Sequence, residues 1–438
     1  MRTEDFNYCG EKNPCPQRDD CGGCKYQGVP YEQQLEEKEN EVRRLLEEKS
    51  IKLCSDPEPE KTLFLPIEPA PNRFEYRNKM EYTFGDMVKN GPTTLGMHKK
   101  GHFMSIVTVD NCQLVHPDFN VILKATLDFV NDQGYSHYHK RKHTGLMRHL
   151  IIRRGVRTGE ILVNICTSSE GEAKAGEPMK ESMTAFDEAG YVAAISKLED
   201  EGRLENKVVG ILRTINDRLA DAVYCDELRV LKGRDYYNEE IMGLKFQVSA
   251  FSFFQTNVDA VEKLYSYAVG LIGGDGFTDG ELKTDADSGQ ASYAGKTVFD
   301  LYCGTGTITQ VLARAAKEVV GVEIVEEAVE MARETAKANG LDNCRFIAGD
   351  CFKVLDSIDD KPEVIVVDPP RVGIKTDALD KIISYGVDQI VYVSCNPKSL
   401  AENLYYFKYY GYDIVSVKPF DNFPGTKHIE VVCLLSHS

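Results

Sequence analysis

Apolar positions change period along this chain, and the changes divide it. From Tyr31 to Glu48 strong helix formers dominate, with Leu35, Val42, Leu45 and Leu46 on one side, which predicts an amphipathic helix. A Pro-rich connector follows, running from Asp56 through Pro66, Pro69 and Pro71. Beyond it the period falls to two. Glu81-Tyr-Thr-Phe84, Phe103-Met-Ser-Ile-Val107, His149-Leu-Ile-Ile-Arg153 and Ile161-Leu-Val-Asn-Ile165 have strand composition and are separated by Gly-containing turns. They predict an antiparallel sheet that extends to about Lys245. An aromatic-rich run, Val248-Ser-Ala-Phe-Ser-Phe-Phe-Gln255-Thr-Asn257, then leads into a helix from about Val258 to Leu271. The polar, Gly-rich residues from Gly273 to Gly295 predict a mobile loop. From Lys296 onward strands and helices alternate, the signature of a parallel doubly wound sheet in an α/β domain. Four segments result: a cysteine-rich stretch (1–30), a helix able to pack on the α/β domain (31–58), a β-rich central domain (59–247) and the α/β domain (248–438).

Composition narrows the setting. The hydrophobic fraction is 42%, that of an ordinary globular protein, with no uninterrupted apolar run of spanning length, so no membrane partner is expected. The start, Met1-Arg-Thr-Glu-Asp-Phe6, lacks the layout of a secretory signal, and thirteen cysteines without one point to the reducing cytoplasm. There, clustered thiols hold metals or do chemistry more often than they form disulfides. A formal charge of -17 argues against a uniformly nucleic-acid-binding surface. Between Ala70 and Arg157, however, 14 basic residues face 7 acidic ones, and seven of the nine histidines fall there, which marks a local polyanion site.

Several stretches carry candidate chemistry. Cys15-Pro-Gln-Arg-Asp-Asp-Cys21-Gly-Gly-Cys24 offers three thiols in a short turn-rich segment, suited to zinc or an iron–sulfur cluster. The fourth ligand would be Cys9 or the distant Cys112. Asn72-Arg-Phe-Glu-Tyr-Arg-Asn-Lys79 interleaves cations with aromatics, as single-stranded RNA sites do, and reads equally well as an amphipathic edge with core rings. Gln255 and Asn257 have amides suited to a base edge. At the end of the first strand of the α/β domain, Tyr302-Cys-Gly304-Thr-Gly306 opens a helix with room for a ligand against the backbone. Glu323, at the end of the next strand, suits ribose hydroxyls, and Asp350, after the third, suits an adenine amino group. Thr309 replaces the third glycine of a dinucleotide loop, so the adenosine ligand is read as S-adenosylmethionine. Asp368-Pro-Pro-Arg371 ends the fourth strand in a rigidly held acid. Cys395, at the end of the fifth, faces the crevice where such sheets bind ligands and is a candidate nucleophile, its alternative being a small core residue. Glu430 is a carboxylate in an apolar run, either partnered and used or facing solvent at a strand edge.

Together these residues resemble the bacterial RNA uracil-5-methyltransferases, in particular the iron–sulfur branch acting on 23S ribosomal RNA. The resemblance runs over nearly the whole chain through Cys15-x5-Cys21-Gly-Gly-Cys24-x2-Gln27, Cys112, Ser252-Phe-Phe-Gln255-x-Asn257, Asp300-Leu-Tyr-Cys-Gly-Thr-Gly306, Asp368-Pro-Pro-Arg371, Ser394-Cys-Asn-Pro397, and Phe423-Pro through His428-x-Glu430. It implies a Rossmann-like class I S-adenosylmethionine-dependent methyltransferase domain, preceded by a β-rich RNA-binding domain with an N-terminal iron–sulfur segment, in a monomer. It makes Cys15, Cys21, Cys24 and Cys112 the ligands of a 4Fe-4S cluster, with Cys9 a rival. Gln255, Tyr302, Glu323 and Asp368 match cofactor positions, Cys395 the nucleophile and Glu430 the base. The chemistry requires such a pair, because carbon 5 of uracil becomes nucleophilic only after a thiolate adds to carbon 6. The target must be unstacked to be reached, with Phe253 or Phe254 placed to pack against it. Two departures concern RNA capture: no RNA-binding barrel precedes the cysteines, and the 273–295 loop is long. Transfer RNA as substrate, an amino-group methyltransferase and a non-catalytic iron–sulfur RNA sensor are the competing readings.

Overall fold

The computed structural model describes residues 15–169, 185–272, 295–355, 358 and 360–437. Cys9 and all but Gly295 of the expected 273–295 loop lie outside these residues. In chain order the elements are α1 (Tyr31–Glu48), β1 (Leu53–Cys54), β2 (Thr62–Phe64), β3 (Lys79–Asp86), β4 (Thr93–Lys99), β5 (His102–Thr108), α2 (Pro117–Asp132), β6 (Met147–Arg154), β7 (Glu160–Thr167), α3 (Glu188–Asp200), β8 (Lys207–Ile215) and β9 (Glu227–Gly233). They continue with β10 (Tyr236–Ile241), β11 (Leu244–Ser249), α4 (Val258–Ile272), β12 (Thr297–Leu301), α5 (Thr307–Ala313), β13 (Glu318–Glu323), α6 (Glu326–Ala338), β14 (Cys344–Ala348) and α7 (Cys351–Val354). The last are β15 (Val364–Val367), α8 (Thr376–Ser384), β16 (Gln389–Ser394), α9 (Pro397–Tyr409), β17 (Tyr412–Phe420) and β18 (Glu430–His437). Among the described residues no helix is long and apolar enough to cross a membrane.

The chain forms two compact units. One comprises the segment up to Pro30 with Arg73–Glu240 and Gln247–Phe251, the other Tyr31–Asn72, Ile241–Phe246 and Ser252–Ser438. Residues 59–72 thus fall in the second unit, not with the central domain, because β2 pairs in parallel with β17 (Ser416 with Leu63).

The first unit is built on a seven-stranded sheet in the order β4-β5-β3-β6-β7-β8-β9. The expected all-antiparallel arrangement needs correction at two places, the first being β3 and β5, which are parallel where Asp86 lies opposite Ser105. β7 and β8 are also parallel, from Glu160 opposite Lys207 to Thr167 opposite Ile215, and α3 lies between them in the chain. A parallel neighbour requires a crossover, and α3 supplies it. Asn72–Lys79 resolves toward the core reading at its centre, since Tyr76 is buried at 3% exposure.

The second unit carries a nine-stranded sheet, β1-β2-β17-β18-β16-β15-β12-β13-β14. β12 pairs in parallel with both β13 and β15, so the chain turns outward in both directions from it, and the crevice of a doubly wound sheet opens at its carboxyl end. β18 runs antiparallel between β16 and β17. That reversal is functional in its consequence: the start of β18, Glu430, lies at the same sheet edge as the ends of the parallel strands. Val320, Val322, Ile365, Val367, Ile390 and Tyr392 fill the core from alternate positions of these strands.

Candidate active site

Every acidic or nucleophilic residue singled out in the α/β domain sits at that carboxyl edge. Asp300 is fully buried in β12, where Oδ2 accepts the Thr309 hydroxyl at 2.5 Å while Oδ1 is buried with no hydrogen-bond partner. Burial foremost, with Glu323 adding to it, pushes its carboxyl up to about 7, against the pull of Thr309. Tyr302, the next residue but one, has φ +67, a strained backbone for a residue with a side chain. Glu323 closes the turn from the other side: its carboxylate accepts the Gly304 and Val325 N–H groups, each at 3.0 Å. Asp350 is exposed after β14 and bears electrostatically on Tyr302.

The two glycines of the turn have different jobs. A side chain at Gly304 would meet nothing within 4 Å, which leaves the backbone open to close approach by a ligand. At Gly306 (φ +74) a Cβ would lie 2.6 Å from the Phe346 ring, so this glycine serves helix-to-strand packing. Gly306→Ala is therefore expected to destabilise the fold by about 2–4 kcal/mol, combining left-handed strain with overpacking. Gly304→Ala should cost only about 1 kcal/mol but weaken binding of the adenosine ligand. Thermal unfolding and equilibrium dialysis on the two variants separate these effects.

Cys395 follows the last residue of β16 and is held in place by the start of α9. Asn396 caps that helix by accepting the Lys398 N–H at 3.2 Å, and its Nδ2 donates to the Arg371 carbonyl at 2.7 Å. The Ser399 hydroxyl donates to the same carbonyl at 3.1 Å. Asn403 completes the tie, accepting the Ile374 N–H at 2.9 Å and the Tyr392 hydroxyl at 2.8 Å. The Asp368-Pro-Pro-Arg371 turn and the Cys395 turn are thus one rigid piece.

The electrostatic influences run between these same residues. Burial first, then Glu430 and Asp368, push the Cys395 thiol up to about 11, while Arg371 pulls it down. Burial and then Asp368 push Glu430 up to about 8, again opposed by Arg371. Asp368 rises to about 7 through burial and Asp300. One exposed guanidinium, which also meets His428 Nδ1 at 3.3 Å, therefore acts on both the Cys395 thiol and the Glu430 carboxyl. Gln255 joins them through a hydrogen bond to Tyr265, whose buried hydroxyl feels Asp368, Asp300 and Glu430. Tyr265 was missed by sequence reasoning: on the amphipathic α4 it looks like any core aromatic, and no sequence signal distinguishes it. Asn257 is not free for a base edge. It accepts the Ala260 N–H at 3.2 Å and donates to the Asn422 carbonyl at 2.8 Å. Of the paired phenylalanines, Phe254 packs against Phe246 in the core and Phe253 is 73% exposed.

In the first unit the cysteine segment is pinned to the β4–β5 hairpin. Cys21 bridges to Lys99, the Gly22 N–H donates to the His98 carbonyl at 2.9 Å, and Lys100 N–H donates to Asp20 O at 2.8 Å. Burial raises Cys15 and Cys21 above the usual thiol range, and Cys15 adds to the rise at Cys21. Burial pushes Cys112 up to about 12, with Cys15 and Cys21 contributing and the Leu114 and Val115 N–H groups opposing. These three thiols are therefore neighbours although Cys112 is far off in sequence. Cys24 is buried at 8% exposure three residues after Cys21. Among the described residues no three His, Cys, Asp or Glu side chains converge tightly enough to hold a single metal ion.

An uncharacterized RNA methyltransferase of Clostridium tetani is 44% identical over 98% of this chain and 84% of its own length. Another, from Chlorobaculum tepidum, is 34% identical over 95% of this chain and 81% of its own. The crystal structure of the Pyrococcus abyssi tRNA (uracil-54, C5)-methyltransferase in complex with S-adenosyl-L-homocysteine shares the fold at a TM-score of 0.67, with 23% identity, covering 95% of this chain and 86% of that one. Residues 289–438, which hold every strand end described above, match the family model of tRNA (uracil-5-)-methyltransferases. With relatives matched over nearly all of this chain and the family model over residues 289–438, the chain belongs to the RNA uracil-5-methyltransferase family.

Proposed function

We propose that this protein methylates carbon 5 of a specific uridine in 23S ribosomal RNA, using S-adenosylmethionine and a transient bond between Cys395 and the base. The observation that carries the reading is the convergence of Cys395, Glu430, Asp368 and Arg371 at one strand edge. The fit of the cofactor rests on the open face of Gly304 and the unpartnered Asp300 Oδ1, a cradle and an acceptor for a cationic, adenosine-bearing ligand. Tyr302, Gly304, Gly306, Glu323, Asp350, Asp368 and Gln255 would hold it. When bound, it supplies an electrophilic methyl group. Cys395 adds as thiolate to carbon 6, and the electron pair of the 5,6 double bond makes carbon 5 the nucleophile. Once carbon 5 bears the methyl group, the Glu430 carboxylate takes its proton. The 5,6 double bond re-forms, the sulfur–carbon bond breaks, and its electron pair returns to Cys395. Phe253, exposed beside the Gln255 turn, is the ring available to stack on an unstacked base.

RNA capture is assigned to the first unit. Phe103 stands 63% exposed with Lys140 Nζ 5.4 Å from its ring centre, and Lys100, Arg141 and Lys142 are exposed in the same hairpin and turn segments. Rings and cations so mixed suit single-stranded RNA. Cys15, Cys21, Cys24 and Cys112 are read as 4Fe-4S ligands. Four thiolates on one zinc would stand about 3.8 Å apart. A cluster gives each iron one thiolate and accepts wider spacing, and the reading is supported by the electrostatic influence of Cys15 and Cys21 on Cys112. Anaerobically purified protein should be brown with about four irons per chain; stoichiometric zinc without iron would contradict the assignment.

The descriptions of the matching family model and the archaeal structure both name transfer RNA, which makes it the second reading. Labelled methyl transfer to unmodified 23S and transfer RNA transcripts, followed by mapping of 5-methyluridine, tests both. Label at discrete uridines of 23S RNA is expected. Label in transfer RNA alone would favour the second reading, and none in either would overturn both.

A further inference from the structure

Glu430 is the first residue of β18, and the 421–429 connection that delivers it is held by α1, a helix outside the alternating α/β pattern. The buried stripe of α1 is Tyr31, Gln34, Lys38, Val42 and Leu46, so the expected apolar side is turned toward three polar residues. Each of them is used on this connection. Lys38 Nζ donates to Asp421 Oδ1 at 2.6 Å and to the Phe423 carbonyl at 3.2 Å, in an ion pair whose side chains are 1% and 0% exposed. The Tyr31 hydroxyl donates to Asp421 Oδ2 at 2.8 Å and accepts the Ala70 N–H at 2.9 Å. Gln34 Oε1 accepts the Gly425 N–H at 3.0 Å. Within the connection, the Phe423 N–H donates to Asp421 Oδ1 at 3.1 Å and the Thr426 hydroxyl donates to the Phe423 carbonyl at 2.9 Å.

This arrangement is expensive for mere packing. A buried lysine and carboxylate lose their hydration, and apolar side chains of the same volume commonly stabilise a fold as well or better. What the polar set adds is direction: a charged pair and an amide, each with fixed donors and acceptors, admit one path for the backbone between Asp421 and Gly425. Asn257, the residue before α4, grips the same segment through the Asn422 carbonyl, so it is held from two sides. We propose that Tyr31, Gln34 and Lys38 are positioning residues for the proton-removal step, fixing the connection and hence the placement of the Glu430 carboxylate. The proposal rests on Glu430 being the base.

The test uses the full chain carrying Lys38→Met, Gln34→Leu or Tyr31→Phe, with Glu430→Gln as reference and two substrates. RNA with 5-fluorouridine at the target cannot lose fluorine as a proton, so its adduct reads thiol addition and methylation without the base. Ordinary RNA reads the whole cycle. For Lys38→Met the expected result is adduct formation within about twofold of the parent, turnover lower by about tenfold or more, and a methylated protein–RNA complex accumulating on ordinary RNA. A merely structural helix would lower both rates together, and that result, or unchanged turnover, would overturn the proposal. Should Lys38→Met fail to fold, Tyr31→Phe, which deletes one hydroxyl, carries the same split at a smaller size. If Glu430→Gln itself turns over normally, the base assignment fails first and the proposal with it.

Discussion

Glu430→Gln should methylate its RNA once and then stop, accumulating a covalent complex of methylated RNA with the protein. Losing the base is expected to lower turnover about 10³-fold, within the range general-base removal produces. Glutamine keeps the size and the hydrogen-bonding of the side chain, so the fold should survive. The pH dependence carries the same signature. Burial, then Asp368, hold Glu430 up at about 8 despite Arg371. Below that pH the group is mostly protonated and cannot accept the carbon 5 proton. Proton removal in the parent protein, followed as decay of the methylated complex, should therefore speed up with pH and level off above about 8, and this limb should vanish in Glu430→Gln. Gel separation of protein–RNA complexes and a pH series on both proteins check it.

Cys395→Ala should form no complex at all and lose at least about 10⁴-fold in turnover, because without addition at carbon 6 the carbon 5 position has no nucleophilic character. Serine should not rescue it, being far less nucleophilic than a thiolate. The thiol does not ionise readily on its own, since burial and the neighbouring Glu430 and Asp368 carry it up to about 11. Arg371 acts in the opposite direction, and a cationic ligand in the crevice works in the same sense as Arg371. Activation of the nucleophile is thus tied to prior filling of the Gly304 side of the crevice. Single-turnover methylation with both ligand orders of addition measures that dependence in the parent protein.

The sequence made the α/β unit legible because its signals are local. Strand ends carry their chemistry in consecutive residues, so Glu323, Asp368 and Cys395 could be placed at the ends of their strands. Glu430 betrayed itself by being a carboxylate in an apolar strand. What stayed hidden depends on tertiary partners. Tyr265 differs from a core aromatic through its Gln255 hydrogen bond and the acids that act on it. Asn257 looked like a ligand-binding amide, yet both ends of its amide are used on Ala260 and Asn422. Lys38 sits at a helical position where an exposed charge would be the ordinary expectation, and only Asp421, nearly four hundred residues on, gives it a reason to be buried. The parallel β7–β8 pairing was not legible because strand composition is the same for parallel and antiparallel neighbours; the deciding feature is α3 between them.

The central claim is that Cys395 bonds to the target base. RNA bearing 5-fluorouridine at the methylated position, incubated with the protein and S-adenosylmethionine and then digested, locates that bond by mass spectrometry. The account predicts one adduct, on the peptide containing Cys395, with both the methyl group and the fluorinated base attached. An active protein that forms no adduct, or one joined through Cys303 or Cys351 nearby, would contradict it.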